Sequence, residues 1–343
     1  METVIKNKTA FDKSEYREVF ETETNKKRLR LYIKSKLKVY EVNCVDEVVI
    51  DKEEFCASKL TFYVLKDETI SFNQGDGVSV KYDGEVLFYG YVFSKMRDKK
   101  NLIKVECYDQ MRYMKNRRSY TRGKLSLSEV VRKLADDCAL HTGEIDSCRE
   151  LLPAVAADNV SLLDVVKRAC AETRRMTGRR FILYDEGGRL NLKDEEKLVT
   201  DVLIDFSGAE NYTYHDTIDE GVYNRIELYN DTKRLNLREV TIVSDKETMA
   251  EWGTLILSKK ADDPIRAKEE GERLLEEYNR VKREIVLKRV MGDRRFLPGC
   301  SVMLRAIMGD LVFNGFVRIK RAVHHFKNNL YFADLYVDGS EVQ

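Results

Sequence analysis

The chain has 343 residues, of which 43% are hydrophobic and 35% charged, with 60 lysines and arginines against 59 acidic residues. This length suggests two or three domains, and the balanced charge gives no reason to expect nucleic acid or an anionic membrane as a partner. No run of eighteen apolar residues exists, so we expect no transmembrane helix. The first residues lack the apolar stretch of a secretory signal.

The N-terminal third has the pattern of a β-domain. Residues 1–28 are polar and highly charged, and we interpret them as an arm or a weakly ordered start. From residue 29 onward, short segments alternate between apolar and polar residues, as strands with one buried face do. These segments are 31–33, 39–42, 48–50 and 60–65. A glycine turn at 75–77 then opens three more strands, so we predict an all-β domain over residues 29–118.

The next stretch, 119–198, contains a repeat at an offset of 35 residues. In each copy a serine precedes an acid by three positions: Ser126 precedes Glu129, and Ser161 precedes Asp164. This spacing is the capping box of a helix N-terminus. Apolar residues follow each serine at helical spacing, which indicates two helices with one buried face.

Glycines suggest where these helices end. Gly143 and Gly178 stand at matching positions and are candidate C-terminal stops. Segments 180–184 and 189–192, joined by Glu-Gly-Gly, have the pattern of a β-hairpin. We therefore predict a small helical domain over 119–198, made of two helical hairpin units and one β-hairpin.

Strands dominate again beyond residue 199. Segments 202–204, 212–214, 225–229 and 239–243 are rich in β-forming residues. One helix interrupts them: Asp263 suits the N-cap and Pro264 the first helical position. We predict a second β-domain over 199–343 with an inserted helix over 263–282.

The two ends of the chain contain the same order of strands. Segments 77–81, 87–92 and 101–105 in the first block correspond to 299–303, 311–317 and 329–333 near the C-terminus. This duplication indicates two copies of one β-design. The predicted fold class is α+β and mainly β, with two similar tube-like β-barrel or sandwich domains flanking a small helical domain.

A search for catalytic chemistry finds no specific constellation. There is no H-E-x-x-H, G-x-S-x-G or Walker A sequence, and the seven scattered cysteines favour reduced, buried thiols. The histidines are His141 near a predicted helix end, His215, and the adjacent pair His324 and His325, which should point to opposite faces of a strand. The acidic segment 215–220 is the densest candidate, and we interpret it as a polar loop. We predict no catalytic residue, no cofactor and no metal ligand.

Two groups of basic residues allow a different interpretation. The first group is interleaved with Tyr113, Met114 and Tyr120, and the second follows the second predicted helix. They are Arg112, Lys115, Arg117, Arg118 and Arg122, and Arg174, Arg175, Arg179 and Arg180. A nucleic-acid site would place such cations on phosphates and tyrosines on bases. Because acids balance the total charge, we favour a solvated or subunit-facing surface and expect no specific nucleic acid as partner.

Several of these segments resemble one known family. They are G-D-G-V-x-V … F-Y-G-Y-V … I-K-V-x-C-Y-D over 75–109, the two S-L-x-[ED]-V-V-[RK] helices, V-Y-N-R-I-E-L-Y over 222–229, and L-P-G … F-N-G-F-V over 297–317. Together they resemble the baseplate hub proteins of contractile phage tails, of the XkdQ-like type found in PBSX-type prophages and tail-like bacteriocins. The resemblance covers about residues 29–340, and the N-terminal arm departs from it.

The resemblance implies a homotrimeric ring in which each chain supplies two tube-like β-domains. Six similar domains would adapt a six-fold tail tube to a three-fold spike. The implied partners are the tail tube protein, the spike protein and other baseplate proteins, with the tape-measure protein as a further candidate, in a virion or tail-like particle assembled in the bacterial cytoplasm. We expect obligate interfaces of roughly 2,000 Å² or more. The implied role is mechanical and not enzymatic.

Two alternatives stay open at this point. One is a cell-wall hydrolase at the tail tip, which a peptidoglycan assay with Asp219 and Glu220 replaced together would reveal. The other is a nucleic-acid-binding module using the Arg112–Arg122 group, whose affinity would fall steeply with salt. The sequence does not distinguish a phage from a headless bacteriocin.

Overall fold

The computed structural model of the chain describes residues 3–6, 28–66, 69–99, 101–205, 209–232, 237–261, 264–308 and 311–339. Packing divides the chain into two compact units, one formed by 1–212 with 286–337 and the other by 213–285 with 338–343. Most of the predicted arm, at 1–2 and 7–27, and the predicted N-cap Asp263 lie outside the described residues. No described helix is long and apolar enough to cross a membrane.

The first part of the chain forms the strands that alternation predicts. In β5, for example, Leu60, Phe62 and Val64 are fully buried while the residues between them are half-exposed. The strands are β1 (Thr3–Lys6), β2 (Leu29–Ser35), β3 (Lys38–Val42), β4 (Val48–Glu53), β5 (Lys59–Leu65), β6 (Gly77–Tyr82), β7 (Glu85–Arg97) and β8 (Leu102–Tyr108).

The middle of the chain contains two helices that pack on a shared apolar core with short strands. A 3-10 turn (Gln110–Lys115) leads into it. Its elements are β9 (Arg117–Arg122), β10 (Leu125–Ser126), α1 (Leu127–Asp137), β11 (Thr142–Ile145), β12 (Leu151–Leu152), β13 (Val155–Ser161), α2 (Leu162–Thr177), β14 (Phe181–Glu186) and β15 (Arg189–Asp194). The predicted hairpin is confirmed, since β14 pairs antiparallel with β15.

Both helices start where the sequence predicted, but only one of the two predicted helix ends is correct. Ser126 forms a complete capping box with Glu129, and the Ser161 hydroxyl accepts the Asp164 N–H at 3.1 Å. Gly178 caps α2 in the left-handed conformation (φ 74°), as predicted. The prediction for Gly143 is wrong because α1 ends at Asp137 and Gly143 lies in β11. Each repeat therefore contributes a strand and one helix, not a helical hairpin.

The rest of the chain returns to β-structure. The elements are β16 (Val199–Asp205), β17 (Asn211–Thr217), β18 (Arg225–Thr232), β19 (Leu237–Ser244), α3 (Lys246–Trp252), β20 (Ile256–Lys260), α4 (Ala267–Tyr278), β21 (Lys282–Met291), β22 (Ser301–Met308), β23 (Leu311–Lys327) and β24 (Leu330–Asp338). Helix α4 lies within the predicted range 263–282 but is shorter.

The unit formed by 213–285 is a small α/β layer. Its sheet has the order β19-β18-β20, and its core includes Ile226 and Leu228 of β18 with Leu274 of α4. The sequence predicted a single inserted helix between strands of one β-domain. The inserted segment also carries α3 and a sheet of its own, so it holds more than that prediction allowed.

The two predicted blocks have the same strand order and the same stagger. The first half of β7 pairs with β6, up to Tyr91, and its second half pairs with β8. Likewise, β23 pairs with β22 through Arg318 and with β24 from Ile319 onward. In both blocks the long middle strand thus pairs with the preceding strand over its first part and with the following strand over its second part.

The two blocks also belong to one large sheet. Strand β4 pairs antiparallel with β23 over Val48–Glu53, so the N-terminal and C-terminal blocks share backbone hydrogen bonds. The end of β3 returns to β5: Cys44 bridges Val64, and the Val45 N–H donates to the Tyr63 carbonyl at 2.8 Å. The first block therefore curls around its apolar core.

Candidate functional site

The histidines lie apart from one another, except for the adjacent pair. His324 is buried and His325 half-exposed on opposite faces of β23, as predicted. His324 Nδ1 lies 2.9 Å from the Tyr331 hydroxyl, and burial lowers the pKa of His324 to about 3. His325 instead faces Glu47, with its Nδ1 3.1 Å from the carboxylate. Both rings thus serve local packing and pairing.

The acidic segment 215–220 does not converge on another reactive group. His215 and Asp216 lie in β17 with exposed side chains, and Asp219 and Glu220 are exposed in the turn that follows. Across the described residues, no group of three or more His, Cys, Asp or Glu side chains is placed to hold a metal ion. The segment has the surroundings of a solvated turn.

The first basic group is partly engaged in contacts within the fold, while Lys115, Arg117 and Arg118 are exposed. Met114 and Tyr120, which a nucleic-acid site would need at the surface, are buried. Arg122 is buried as well, and Arg118 pairs with Asp137 at 2.8 Å. Arg112 lies over the Phe93 ring at 5.5 Å. These residues do not form the exposed cationic and aromatic strip that single-stranded nucleic acid requires.

The second basic group supplies ion pairs within the chain. Arg175 pairs with Glu172 one helical turn away. Arg179 donates two hydrogen bonds to Asp194, at 2.6 and 2.8 Å. Because carboxylates of the same chain hold these guanidinium groups, they contribute to stability more than to the recognition of a ligand.

A buried polar cluster, which the sequence analysis missed, connects the 3-10 turn to the β14–β15 hairpin. The Gln110 side-chain amide donates to Asp185 at 2.7 Å and to the His141 carbonyl at 3.0 Å, and its oxygen accepts the His141 N–H. Asp185 also accepts the Gly188 N–H at 2.9 Å. The cluster holds three separate segments of the chain together. No local sequence motif predicts it.

Burial governs the charge of this cluster. Asp109 accepts the N–H groups of Ser58 and Met111 at 2.8 and 2.9 Å. Burial, together with the negative charge of Asp185, raises the pKa of Asp109, and burial raises the pKa of Asp185. Burial lowers the pKa of the nearby Lys52 ammonium, against the attraction of neighbouring acids. Both carboxyls are therefore easier to protonate in the folded chain than in the unfolded one.

This arrangement predicts a pH-dependent stability. A carboxyl whose folded pKa is raised costs stability once it ionises, so these two carboxyls lower the free energy of unfolding as pH rises from about 4 through about 7. His324, whose pKa burial lowers to about 3, acts in the opposite direction below about pH 6.5, so the wild type shows the sum of such contributions. In Asp185→Asn the change in the free energy of unfolding from pH 4 to pH 7 should be more positive than in the wild type by on the order of 2 kcal/mol, since one pKa unit corresponds to about 1.4 kcal/mol. Urea unfolding at several pH values measures the slope.

The matched control is Asp158→Asn, because Asp158 is exposed. It should leave the pH dependence of the wild type unchanged. Loss of the hydrogen bond from Gln110 will lower the free energy of unfolding of Asp185→Asn at every pH. The test is therefore the pH dependence of the free energy of unfolding, and its value at a single pH is not. An Asp185→Asn slope equal to that of the wild type would contradict the prediction.

A half-buried ion-pair network links the first block, the middle segment and the second block. Glu54 and Glu195 both contact Arg318 and Arg180: Arg318 pairs with Glu54 and, at 3.0 Å, with Glu195, while Arg180 lies 3.3 and 3.5 Å from the same two acids. The Arg318 side chain is only 12% exposed. The network holds the three segments in a fixed arrangement.

Aromatic side chains line the outer face of the first block. Tyr89, Tyr91 and Phe93 project from β7 on the side opposite its buried residues. The middle segment covers them: the Tyr113 ring lies 5.8 Å from Tyr91, and a Cβ at Gly188 would lie 2.6 Å from the Tyr89 ring. This face is therefore an internal packing surface.

The matching face of the second block is bare. It is formed by β16, β22 and β23. Met303 of this face is half-buried, but five other apolar side chains are about half exposed or more: Val199, Leu203, Ile307, Val312 and Phe316. A surface of this kind is suited to contact with another protein.

The family model of YqbQ-like proteins matches residues 51–338 of the chain. The chain belongs to the YqbQ-like family. Among curated proteins, the phage-like element PBSX protein XkdQ of Bacillus subtilis is 25% identical over 243 residues, which cover 68% of this chain and 73% of XkdQ. The predicted resemblance to XkdQ-like proteins is thereby confirmed.

Two solved structures of tail proteins have a fold similar to that of this chain. The 43 kDa tail protein of prophage MuSo2 from Shewanella oneidensis superposes with a TM-score of 0.67 at 12% identity, covering 90% of this chain and 98% of that protein. A tail protein from Neisseria meningitidis has the same TM-score and identity, with 92% and 97% covered. The YqbQ-like chain thus has the mainly β fold of phage tail proteins.

Proposed function

We propose that this chain is a structural baseplate hub protein of a contractile tail, in a phage or a tail-like bacteriocin. Three copies close into a ring that adapts the six-fold tail tube to the three-fold spike. The ring is a mechanical connector and a passage, and it makes or breaks no covalent bond. It is assembled in the bacterial cytoplasm and resides in the baseplate of the particle.

The observation that carries this proposal is the repeated, staggered meander within one sheet. In both blocks the middle strand pairs first with the preceding strand and then with the following one. The change of partner occurs at Tyr91 in β7 and between Arg318 and Ile319 in β23. A trimer of such chains offers six similar β-modules around one axis. A chain with a single module would offer only three, and could not match six-fold and three-fold neighbours at once.

We infer that each block is a tube-like β-barrel or sandwich, over 29–118 and 199–343, with the helical domain 119–198 between them. The return of β3 to β5 through Cys44 and Val64 supports closure of the first block. The helical domain lies outside the tube wall or against the baseplate. Its partners are the tail tube protein, the spike protein and other baseplate proteins, with the tape-measure protein as a further candidate.

The mass of the purified protein in solution, followed by electron microscopy, tests the ring. We expect three times the chain mass of 40.0 kDa, and class averages with three-fold symmetry and a central lumen. Each interface should bury roughly 2,000 Å² or more. A tail particle purified with the tagged chain provides the second test, because the tag should appear at the baseplate. Absence of the chain from the particle would contradict the hub role.

A further inference from the structure

A cleft of about 370 Å³ has a buried lysine of β4 on its floor. This volume lies within the range of roughly 300–1,000 Å³ that is usual for small-molecule sites. The cleft has exposed charged side chains at its rim and buried side chains on its floor. The floor is formed by Lys52, Leu87, Leu297 and Cys300.

Lys52 is an ionisable residue at an apolar position. It continues the buried face of β4 after Val48 and Ile50, and only 6% of it is exposed. Its register partner in β23 is Ala322, which is fully buried. A buried ammonium without a counter-ion costs free energy of folding. An anion that reached Lys52 would recover part of that cost.

The acids near Lys52 do not pair with it. The described residues give its ammonium neither a hydrogen bond nor a carboxylate within 4.0 Å. Asp109, Asp185 and Glu186 attract it only from a greater distance. Asp109 and Asp185 accept hydrogen bonds from backbone N–H groups instead, and Asp185 also from the Gln110 amide. Lys52 therefore keeps its donors for a ligand.

The cations at the rim of the cleft, in contrast, already have partners. Lys197 pairs with Asp146 at 3.0 Å, and Arg294 with Glu85 at 3.5 Å. Arg295 pairs with two aspartates. An anionic ligand that entered the cleft would therefore gain most from the buried ammonium on its floor.

We propose that this cleft binds a single carboxylate carried on a short apolar body, with the carboxylate on Lys52. The apolar body would lie against Leu87, Leu297 and Cys300, which form the rest of the floor. A small organic acid and the C-terminus of a polypeptide both offer this chemistry. The inference does not depend on the proposed ring.

Two acids at the rim favour a single negative charge. Glu85 and Glu186 both line the cleft and are exposed. A phosphate dianion would be repelled by both with twice the charge of a carboxylate. A cationic ligand would meet the Lys52 ammonium, and a neutral one would leave it without a counter-ion.

Isothermal titration calorimetry of the full chain with hexanoate tests the site. Lys52→Met should weaken the binding of hexanoate by about 10-fold or more, as loss of one hydrogen bond to a charged group does. Methionine keeps the length of the side chain and removes the buried charge, so we expect this variant to fold. Lys327→Met is the matched control, because it removes an exposed lysine that pairs with Asp46, and it should bind hexanoate like the wild type.

Two further ligands test the charge, and chemical labelling adds a measurement that needs no variant. Hexanol and hexyl phosphate should both bind more weakly than hexanoate. Hexanoate should also slow the acetylation of Lys52 by acetic anhydride, read by mass spectrometry, and leave that of Lys327 unchanged. This protection serves if Lys52→Met fails to fold.

An apolar hexapeptide with a free or an amidated C-terminus identifies the source of the carboxylate. Binding of the free form alone, lost in Lys52→Met, supports a polypeptide terminus as ligand. Binding of hexanoate alone, lost in the same variant, supports a small organic acid. Failure of both to bind at millimolar concentration, equal binding by wild type and Lys52→Met, or tighter binding of hexyl phosphate would overturn the inference. The hub role is decided separately, by the mass of the assembly and by microscopy.

Discussion

Replacing Gly90 with alanine is expected to lower the free energy of unfolding by about 3 kcal/mol, the upper end for a substitution that overfills a packed site. A Cβ at this position would lie 2.3 Å from the Tyr108 carbonyl oxygen and 2.8 Å from the Phe88 ring. The nearest atom belongs to the backbone of β8, which cannot rotate away as a side chain could. The steric clash could be relieved only if β7 and β8 separated at the point where β7 changes its pairing partner.

Urea unfolding followed by circular dichroism measures this effect. Gly123→Ala is the matched control, because a Cβ at Gly123 would meet no atom within 4 Å. The control should change the free energy of unfolding by less than about 1 kcal/mol, as surface substitutions usually do. Equal stability of the two variants would mean that the close approach of β7 and β8 is not a packing constraint in solution.

Replacing Glu54 with alanine is expected to cost about 3–5 kcal/mol, because it leaves two arginines without a shared carboxylate in a half-buried site. Arg318 and Arg180 both contact Glu54, so its removal takes away one of the two carboxylates that they share in this network. The loss in free energy of unfolding should exceed that of a single contact, since the network joins segments that are far apart in sequence.

The control is Lys327→Ala, which removes an exposed pair with Asp46, whose side chains are 51% and 58% exposed. Exposed pairs contribute at most about 1 kcal/mol. Denaturation of both variants at low and high salt completes the test, since salt screens the exposed pair more strongly. A Glu54→Ala variant no less stable than Lys327→Ala would rule out a structural role for the network.

Local signals in the sequence predicted much of the secondary structure. The Ser126–Glu129 spacing located the start of α1 because a cap depends only on neighbouring residues. The alternation in 60–65 located β5 because its two faces have different surroundings. The order of strands in the two blocks was readable for the same reason: turns and alternating residues are features of short segments.

The long-range features could not be predicted in this way. Nothing near Val48 or His325 reveals that β4 pairs with β23, since that pairing joins segments more than 250 residues apart. The polar cluster of Asp109, Gln110 and Asp185 is assembled only by tertiary folding. The error at Gly143 arose because a glycine that fits a helix stop also fits a strand against Asn191, whose side-chain oxygen a Cβ would contact at 2.4 Å.

Strand β23 has a mechanical consequence. Its 17 residues form one strand that runs from β22 into the space between β4 and β24, with a shift of register between Ile319 and Arg321. Antiparallel ladder bonds lie perpendicular to the strand, so a pull along its axis loads many of them in shear at the same moment, and they cannot open one after another like a zipper. Tension applied between the ends of β23 would therefore be resisted by the whole ladder.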